Sequence, residues 1–241
     1  VRPMLDLMEP TWPPAARVQQ GALVLRQGQG GGSRVSAITR AGTPRDALAA
    51  LPEAETIVRG WGQTPLYMLS DGDADDDALA ALLQARGYQK TDAVFIFDGP
   101  LPVAALPTDA ALRLSYGWPA DAAALAAWAN DGRVGDARMA VMARAQGPKT
   151  VIALSDNGKP VGALFIAVHA GAAVLHALEV VPAARGRGYS HVLLGAASHW
   201  AATQGAQRML LVVSKDNTPA VTLYLRHGLQ AVGGYYYLGA V

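Results

Sequence analysis

Two glycine-bearing stretches, QGQGGGS at residues 27–33 and RGRGYS at residues 185–190, have the spacing with which backbone N–H groups gather around an anion. Glycine lets the main chain approach a phosphate because no Cβ intervenes, and it accepts the positive φ that such loops need. A chain with 26 glycines spells such patterns by chance, so the surrounding elements must choose between them. QGQGGGS lies between short strands predicted at residues 22–26 and 34–39, and no helical pattern opens until about Pro44. It reads as a mobile turn at a hairpin-like tip. RGRGYS instead follows the apolar strand AAVLHALEVV and precedes HVLLGAASHWAATQG, where Val192, Leu193, Ala196, Ala197 and Trp200 recur at helical spacing. Strand, loop, helix is the order that aims a helix N-terminus at a phosphate. Amides of Arg187, Gly188 and Ser190 would converge there, with Arg185 and Arg187 adding positive charge.

Other side chains with chemical potential are few. Glu179 is the only acid in the long strand predicted at residues 172–181, where a carboxylate is unwelcome unless it serves something. It could accept a proton through water or simply bond neighbouring backbone; both readings stand. Strand alternation places Glu179 with Leu175 and Ala177 and His176 on the opposite face. DGDADDD at residues 71–77 begins like a calcium loop, but its sixth position is Asp76 rather than Gly and its twelfth is Leu82 rather than Glu. It reads as the acidic start of a helix. The five histidines, His169, His176, His191, His199 and His227, show no i,i+4 pair, and cysteine is absent; no metal site is expected, and disulfides, thiolate ligands and a cysteine nucleophile are excluded.

The elements that must position these residues form a mixed α/β order. LYMLS, TDAVFIF and residues 112–116, 150–154, 161–168, 172–181 and 209–213 read as strands, with a last one ending in YYYL. Helices are expected over DDDALAALLQARG and residues 119–144, 188–204 and 219–227, the last with Thr218 as N-cap and Pro219 at its first position. DNGKP and HAGAA mark hairpin turns. The Pro-rich segment at residues 98–108 is a candidate linker, dividing the chain into an N-terminal α/β domain at 1–107 and a second domain at 108–241. LLQARGYQKTDAVFIF, laid over LYLRHGLQAVGGYYYL at a constant offset, reads helix, glycine stop, strand in both, a weak echo that duplication or chance explains equally.

Composition narrows the partners. A net charge of +1 and the absence of Lys/Arg clusters give no electrostatic case for nucleic acid or a membrane surface. The opening VRPMLDLMEPTWPP puts acids and prolines where a signal peptide needs an unbroken apolar segment, and its first Val points to a trimmed start. With no run of 18 apolar residues, the expectation is a cytoplasmic protein.

VVPAARGRGYS and SKDNTPAVTLYLRHGL together resemble the GNAT superfamily of acyl-CoA-dependent N-acetyltransferases, over about residues 112–241. Ser190 departs from the Gly or Ala that usually ends the loop. The resemblance implies a central mixed sheet flanked by helices, preceded here by a smaller N-terminal domain, GNAT-like or of another α/β type; if the echo is a duplication, that domain is a degenerate copy, since in the offset comparison Leu83 stands where Tyr224 stands. It implies acetyl-CoA as acyl donor, its pyrophosphate gripped by Arg185, Gly186, Arg187, Gly188, Tyr189 and Ser190, with Asn217 near the cofactor. It implies main-chain donors near Val180 and Val181 for the carbonyl oxygen, Tyr224 as the acid that protonates the departing thiolate, and a primary amine of a small molecule or peptide as acceptor. Within that chemistry Glu179 is the candidate base. Trp128, Asn130, Asp131 and Arg133 are candidates for an acceptor wall. A non-catalytic acyl-CoA-binding sensor is the alternative; it would keep RGRGYS but need neither Tyr224 nor Glu179.

Overall fold

In the computed structural model, which describes residues 1–240 apart from 104, 105, 130, 131 and 133, the first half contributes α1 (Arg2–Met8), β1 (Ala16–Gln20), β2 (Leu23–Gln27), α2 (Ser33–Ser36), β3 (Thr39–Arg40), α3 (Pro44–Gly60), β4 (Leu66–Ser70), α4 (Ala74–Gln84) and β5 (Gln89–Pro100). The second contributes β6 (Leu112–Gly117), α5 (Ala122–Ala129), α6 (Asp136–Arg144), β7 (Lys149–Asp156), β8 (Lys159–His169), β9 (Ala172–Val180), α7 (Tyr189–Thr203), β10 (Arg208–Ser214), α8 (Thr218–Arg226) and β11 (Gln230–Gly239). The DNGKP turn closes the β7–β8 hairpin with Asn157 and Gly158 both at positive φ, the conformation that two-residue hairpin loops demand.

β1, β2 and β3 form a small sheet, and the other eight strands form one mixed sheet in the order β4-β11-β5-β10-β9-β8-β7-β6. Only β9 and β10 run parallel within it. The sheet therefore crosses the proline-rich segment, and the two halves exchange strands. The units β4-α4-β5 and β10-α8-β11 repeat the same order; β5 starts at Gln89 and β11 at Gln230, the offset seen in the sequence echo. Yet β5 does not pair with β4, nor β11 with β10. Instead β11 lies between β4 and β5, and β5 between β11 and β10. Each unit's last strand completes the other's sheet.

The first half departs from the sequence reading in its opening segments. α1 and β1 are not legible among the prolines, and residues 34–39 do not make one strand. Ser36 Oγ donates to the Gly32 carbonyl at 3.0 Å and closes a helical turn, with Val35 buried beneath it. The glycine run is packed rather than loose. A Cβ on Gly28 would stand 2.0 Å from Ser36 Oγ, and one on Gly31 would stand 2.3 Å from a Val141 methyl of α6. These glycines let the first half lie directly on the second, and the helix that follows them, α2, is a single four-residue turn.

Apolar side chains fill both faces of the large sheet. α7 and α8 cover one, through Leu193, Ala197 and Leu223 against Ile166, Leu175 and Leu211. α5 and α6 cover part of the other, with Trp128, Val141 and Met142 against Ala163 and Phe165, and Trp12 of the first half joins them there. Because the strands interleave, we expect a single unfolding transition: denaturant curves followed by far-UV circular dichroism and by tryptophan fluorescence should coincide, whereas two separated steps would mean that the halves are independent units.

Candidate functional site

The site begins where β9 and β10 part. They pair in parallel only from Arg208↔Ala172 to Leu211↔Leu175; beyond that β9 runs on to Val180 and β10 to Ser214 without pairing with each other. The cause lies in β9. Opposite β8 the register slips between Ala163↔Glu179 and Phe165↔His176, so Ala177 and Leu178 together oppose one residue. Ala177 takes φ +51°, a conformation an L-residue holds only when its surroundings impose it. The imposing group is Trp128, fully buried in α5, whose Nε1 donates to the Ala177 carbonyl at 2.9 Å.

The bulge corrects the facing of Glu179. Simple alternation puts it opposite His176, but one extra residue shifts the strand by one, so both point to the side of their partners Ala163 and Phe165, the face covered by α5 and α6. It also sorts the backbone. The Val181 N–H donates to the Val161 carbonyl at 2.9 Å and is spent there. Peptide groups alternate along an antiparallel strand, so Val180 turns its N–H and C=O toward the gap left by β10. The Val180 carbonyl is met by Arg185 Nε at 3.0 Å.

On the α7/α8 side, the parted strands open into a cleft of about 680 Å³. Its walls include Glu179 and Val180 from β9, Gly186, Gly188 and Ser190 from the loop, and Asn217 at the head of α8. Gly186 and Gly188 sit at φ +79° and +82°, and nothing lies within 4 Å of where either Cβ would be. Gly188 is the N-cap of α7, so the first-turn amides, Tyr189 and Ser190 among them, lack helical carbonyl partners and carry the positive end of the helix dipole. The two glycines thus leave an open, donor-lined cradle whose chemistry fits a phosphate group.

The loop's other side chains hold it in place. Arg185 folds back onto Val180, and Tyr189 is buried with its hydroxyl donating to Asp156 Oδ2 at 2.6 Å, which ties the loop to the β7–β8 hairpin. That hydrogen bond, more than desolvation, raises the phenol's pKa above its ordinary value. Arg187 is exposed. Asn217 is itself the N-cap of α8, accepting from the Ala220 N–H at 3.2 Å, so the cap falls one residue before Thr218, with Pro219 in the first turn. Leu223 reaches the cleft, whereas the Tyr224 ring is buried against Phe97 of β5, 5.8 Å between centroids. Burial pushes its pKa well above the ordinary phenol value and keeps it protonated.

Trp128 thus proves to be a positioning residue of the bulge; Asn130, Asp131 and Arg133 lie outside the described residues. Sequence reasoning missed the bulge altogether. The only signal was a polar pair, His176 and Glu179, three apart in an apolar strand, a spacing that alternation cannot place on one face. Among the described residues, no group of three or more His, Asp or Glu could hold a metal ion, and no helix is long and apolar enough to cross a membrane.

Residues 113–229 match the model of the acetyltransferase (GNAT) family, and the chain carries a GNAT acetyltransferase domain there. Its structure is similar over nearly its whole length to a GCN5-related N-acetyltransferase from Kribbella flavida, at 15% identity and a TM-score of 0.76, covering 99% of this chain and 94% of the other. A GCN5-related N-acetyltransferase from Sphaerobacter thermophilus aligns at 16% identity and a TM-score of 0.68, over 93% of this chain and 81% of that one. A tandem GNAT protein from the clavulanic acid biosynthesis pathway aligns at 15% identity and a TM-score of 0.63, over 95% and 84%. No curated protein matches the sequence. These likenesses establish the mixed α/β GNAT fold, and the family match supports acyl transfer in general.

Replacing Trp128 by Phe should lower stability by about 1–3 kcal/mol, because the Ala177 carbonyl loses its partner away from water. Chemical denaturation of the variant measures this; an unchanged midpoint would mean that the bulge stands without the indole.

Proposed function

We propose that the protein transfers an acetyl group from acetyl-CoA directly to a primary amine of a small molecule or peptide. The observation that carries this reading is the parting of β9 and β10, which exposes the Val180 N–H in the cleft that also holds the open Gly186–Gly188 cradle. Acetyl-CoA supplies an activated thioester when bound. First-turn amides of α7 hold the pyrophosphate, and the parted strands admit the pantetheine arm. The Val180 N–H then donates to the thioester carbonyl oxygen as negative charge grows on it. Glu179 takes the amine proton through water as nitrogen bonds to the carbonyl carbon. The C–S bond breaks, and the neutral Tyr224 phenol supplies the proton for the sulfur.

Thiol release from acetyl-CoA, measured with a library of primary amines, tests the reading. Amine-dependent release supports it; tight acetyl-CoA binding without such release would favour the sensor instead. Gly188→Glu should abolish acetyl-CoA binding, since it places a side chain and a negative charge in the cradle and strains a left-handed backbone. Gly30→Ala should leave that affinity unchanged while destabilising the fold by about 1 kcal/mol. Calorimetry that ranked the two variants the other way would reject the cradle.

Glu179→Gln should slow transfer most where the amine is chiefly protonated, and progressively less as rising pH frees the amine unaided. A pH–rate profile lowered equally at every pH, together with a lower melting temperature, would assign Glu179 a structural role.

A further inference from the structure

The parting of β9 and β10 has a counterpart in the first half. Just before β3, Ile38 pairs in parallel with Tyr67 of β4, its N–H donating to the Leu66 carbonyl at 2.7 Å and its carbonyl accepting from the Met68 N–H at 2.9 Å. The parallel pairing ends there. β3 goes on along β2, with Thr39 opposite Val24 and Arg40 opposite Leu23, while β4 goes on along β11 to Ser70. Two strands drawn to different neighbours separate, and residues from both line a cavity of about 180 Å³. The elements beyond it also correspond: β4 ends on Ser70 and α4 is capped by Asp73, as β10 ends on Ser214 and α8 is capped by Asn217.

The polar groups of this cavity divide into those already spent and those left over. Arg26 is held by Glu9 at 2.7 Å, and Arg40 by Asp73, Asp75 and Asp76 at 2.8 to 2.9 Å. Asp76 is occupied in turn: its Oδ1 accepts from Arg2 and Arg40, and its Oδ2 from the Ser70 N–H at 2.9 Å. What remains is mainly donors. Thr39 Oγ1 accepts from Arg26 Nη1 and keeps its own hydrogen to give. Ser70 is only 4% exposed, and its Oγ has no hydrogen-bond partner among the described residues. Arg2 commits Nη2 to Asp76 and leaves Nη1 unused, and Arg17 meets Glu9 only at 3.7 Å. With side chains 40% and 57% exposed, these two arginines stand where the cavity meets water. Asp6, the remaining carboxylate of the lining, is exposed there too.

We propose that this cavity is a binding site for a small organic monocarboxylate, whose charged end pairs with Arg2 and Arg17 and whose hydroxyl or keto oxygen meets Thr39 and Ser70. Leu5, Val24 and Met68 supply an apolar wall for its carbon atoms. The volume holds several waters or a molecule of a few carbon atoms. Guanidinium groups match a carboxylate in shape, and a ligand replaces the water that otherwise serves the two hydroxyls. A dianion would face Asp6, Glu9 and Asp73 with a second negative charge, which disfavours phosphate. This proposal does not rest on the acetyl-transfer reading; it assigns to the first half a ligand of its own.

The test is calorimetry on the full-length protein with acetate, glycolate, lactate, pyruvate and hydroxybutyrate, each beside its primary amide, and with inorganic phosphate. At least one acid should bind at millimolar concentration or below, and about tenfold more tightly than its amide, as loss of a charged hydrogen bond entails. Arg2→Gln and Arg17→Gln should each weaken that acid by about tenfold. Ser70→Ala, which keeps the backbone N–H that Asp76 uses, should weaken a hydroxy or keto acid several-fold and leave acetate unchanged. No binding by any acid would mean that the cavity holds water only and overturns the proposal. Equal affinity for acid and amide, or phosphate bound as tightly as the best acid, overturns the assignment of a monocarboxylate. Acid affinity unchanged in both arginine variants places the binding elsewhere and also refutes it. Melting temperatures verify folding; if Arg2→Gln is unfolded, Arg17→Gln and Ser70→Ala decide.

Discussion

Everything at the site depends on two parallel strands ceasing to pair. Four residues of β9 and β10 are joined, and then a single inserted residue turns β9 away. One hydrogen bond from Trp128 holds that residue in a left-handed conformation that Ala177 would not choose. From this follow the outward-facing Val180 peptide, the cleft between α7 and α8, and the placement of His176 and Glu179 on one face. The geometry of the proposed site is a backbone property first, with side chains added to it.

The first half repeats the strand–helix–strand order of β10-α8-β11 in β4-α4-β5, without a glycine loop at the place of RGRGYS. Between β9 and α7 the chain has room for the RGRGYS loop, whereas between β3 and α3 only Ala41, Gly42 and Thr43 intervene. In the offset comparison Asp76 falls at Asn217; with Asp73 and Asp75 it surrounds the buried guanidinium of Arg40, and Arg40 and Asp76 both line a cavity of about 180 Å³. The first half contributes two strands, β4 and β5, to the common sheet.

Much of this was legible beforehand, for local reasons. β4, β10, α7 and α8 announce themselves by periodicity, and RGRGYS could be chosen over QGQGGGS because a loop between strand and helix leaves a mark in the flanking residues. What stayed hidden depends on distant partners. QGQGGGS looked mobile because its reason for glycine, the approach of Ser36 and Val141, lies in tertiary packing. The bulge was invisible because alternation assumes a register that Trp128, 49 residues away, overrides. The cap of α8 was misplaced by one because Asn and Thr are both competent caps. The interleaved sheet could not be read at all, since pairing of strands with similar patterns is decided by topology rather than by either strand.

The strand exchange also imposes an order on how the molecule is made. β11, which follows every other strand of the sheet along the chain, is the one that separates β4 from β5. Until it arrives, β4 has no ladder partner on the side that β11 will fill and β5 is joined to the sheet by one edge alone. The first half, although synthesised first, must therefore wait in an incomplete state for the end of the second. A nascent chain stalled before β11 would present two open edges in sequence-adjacent segments, a template for pairing with another copy. Placing the closing strand after all of its sheet partners makes synthesis of β11 a condition for closing the sheet.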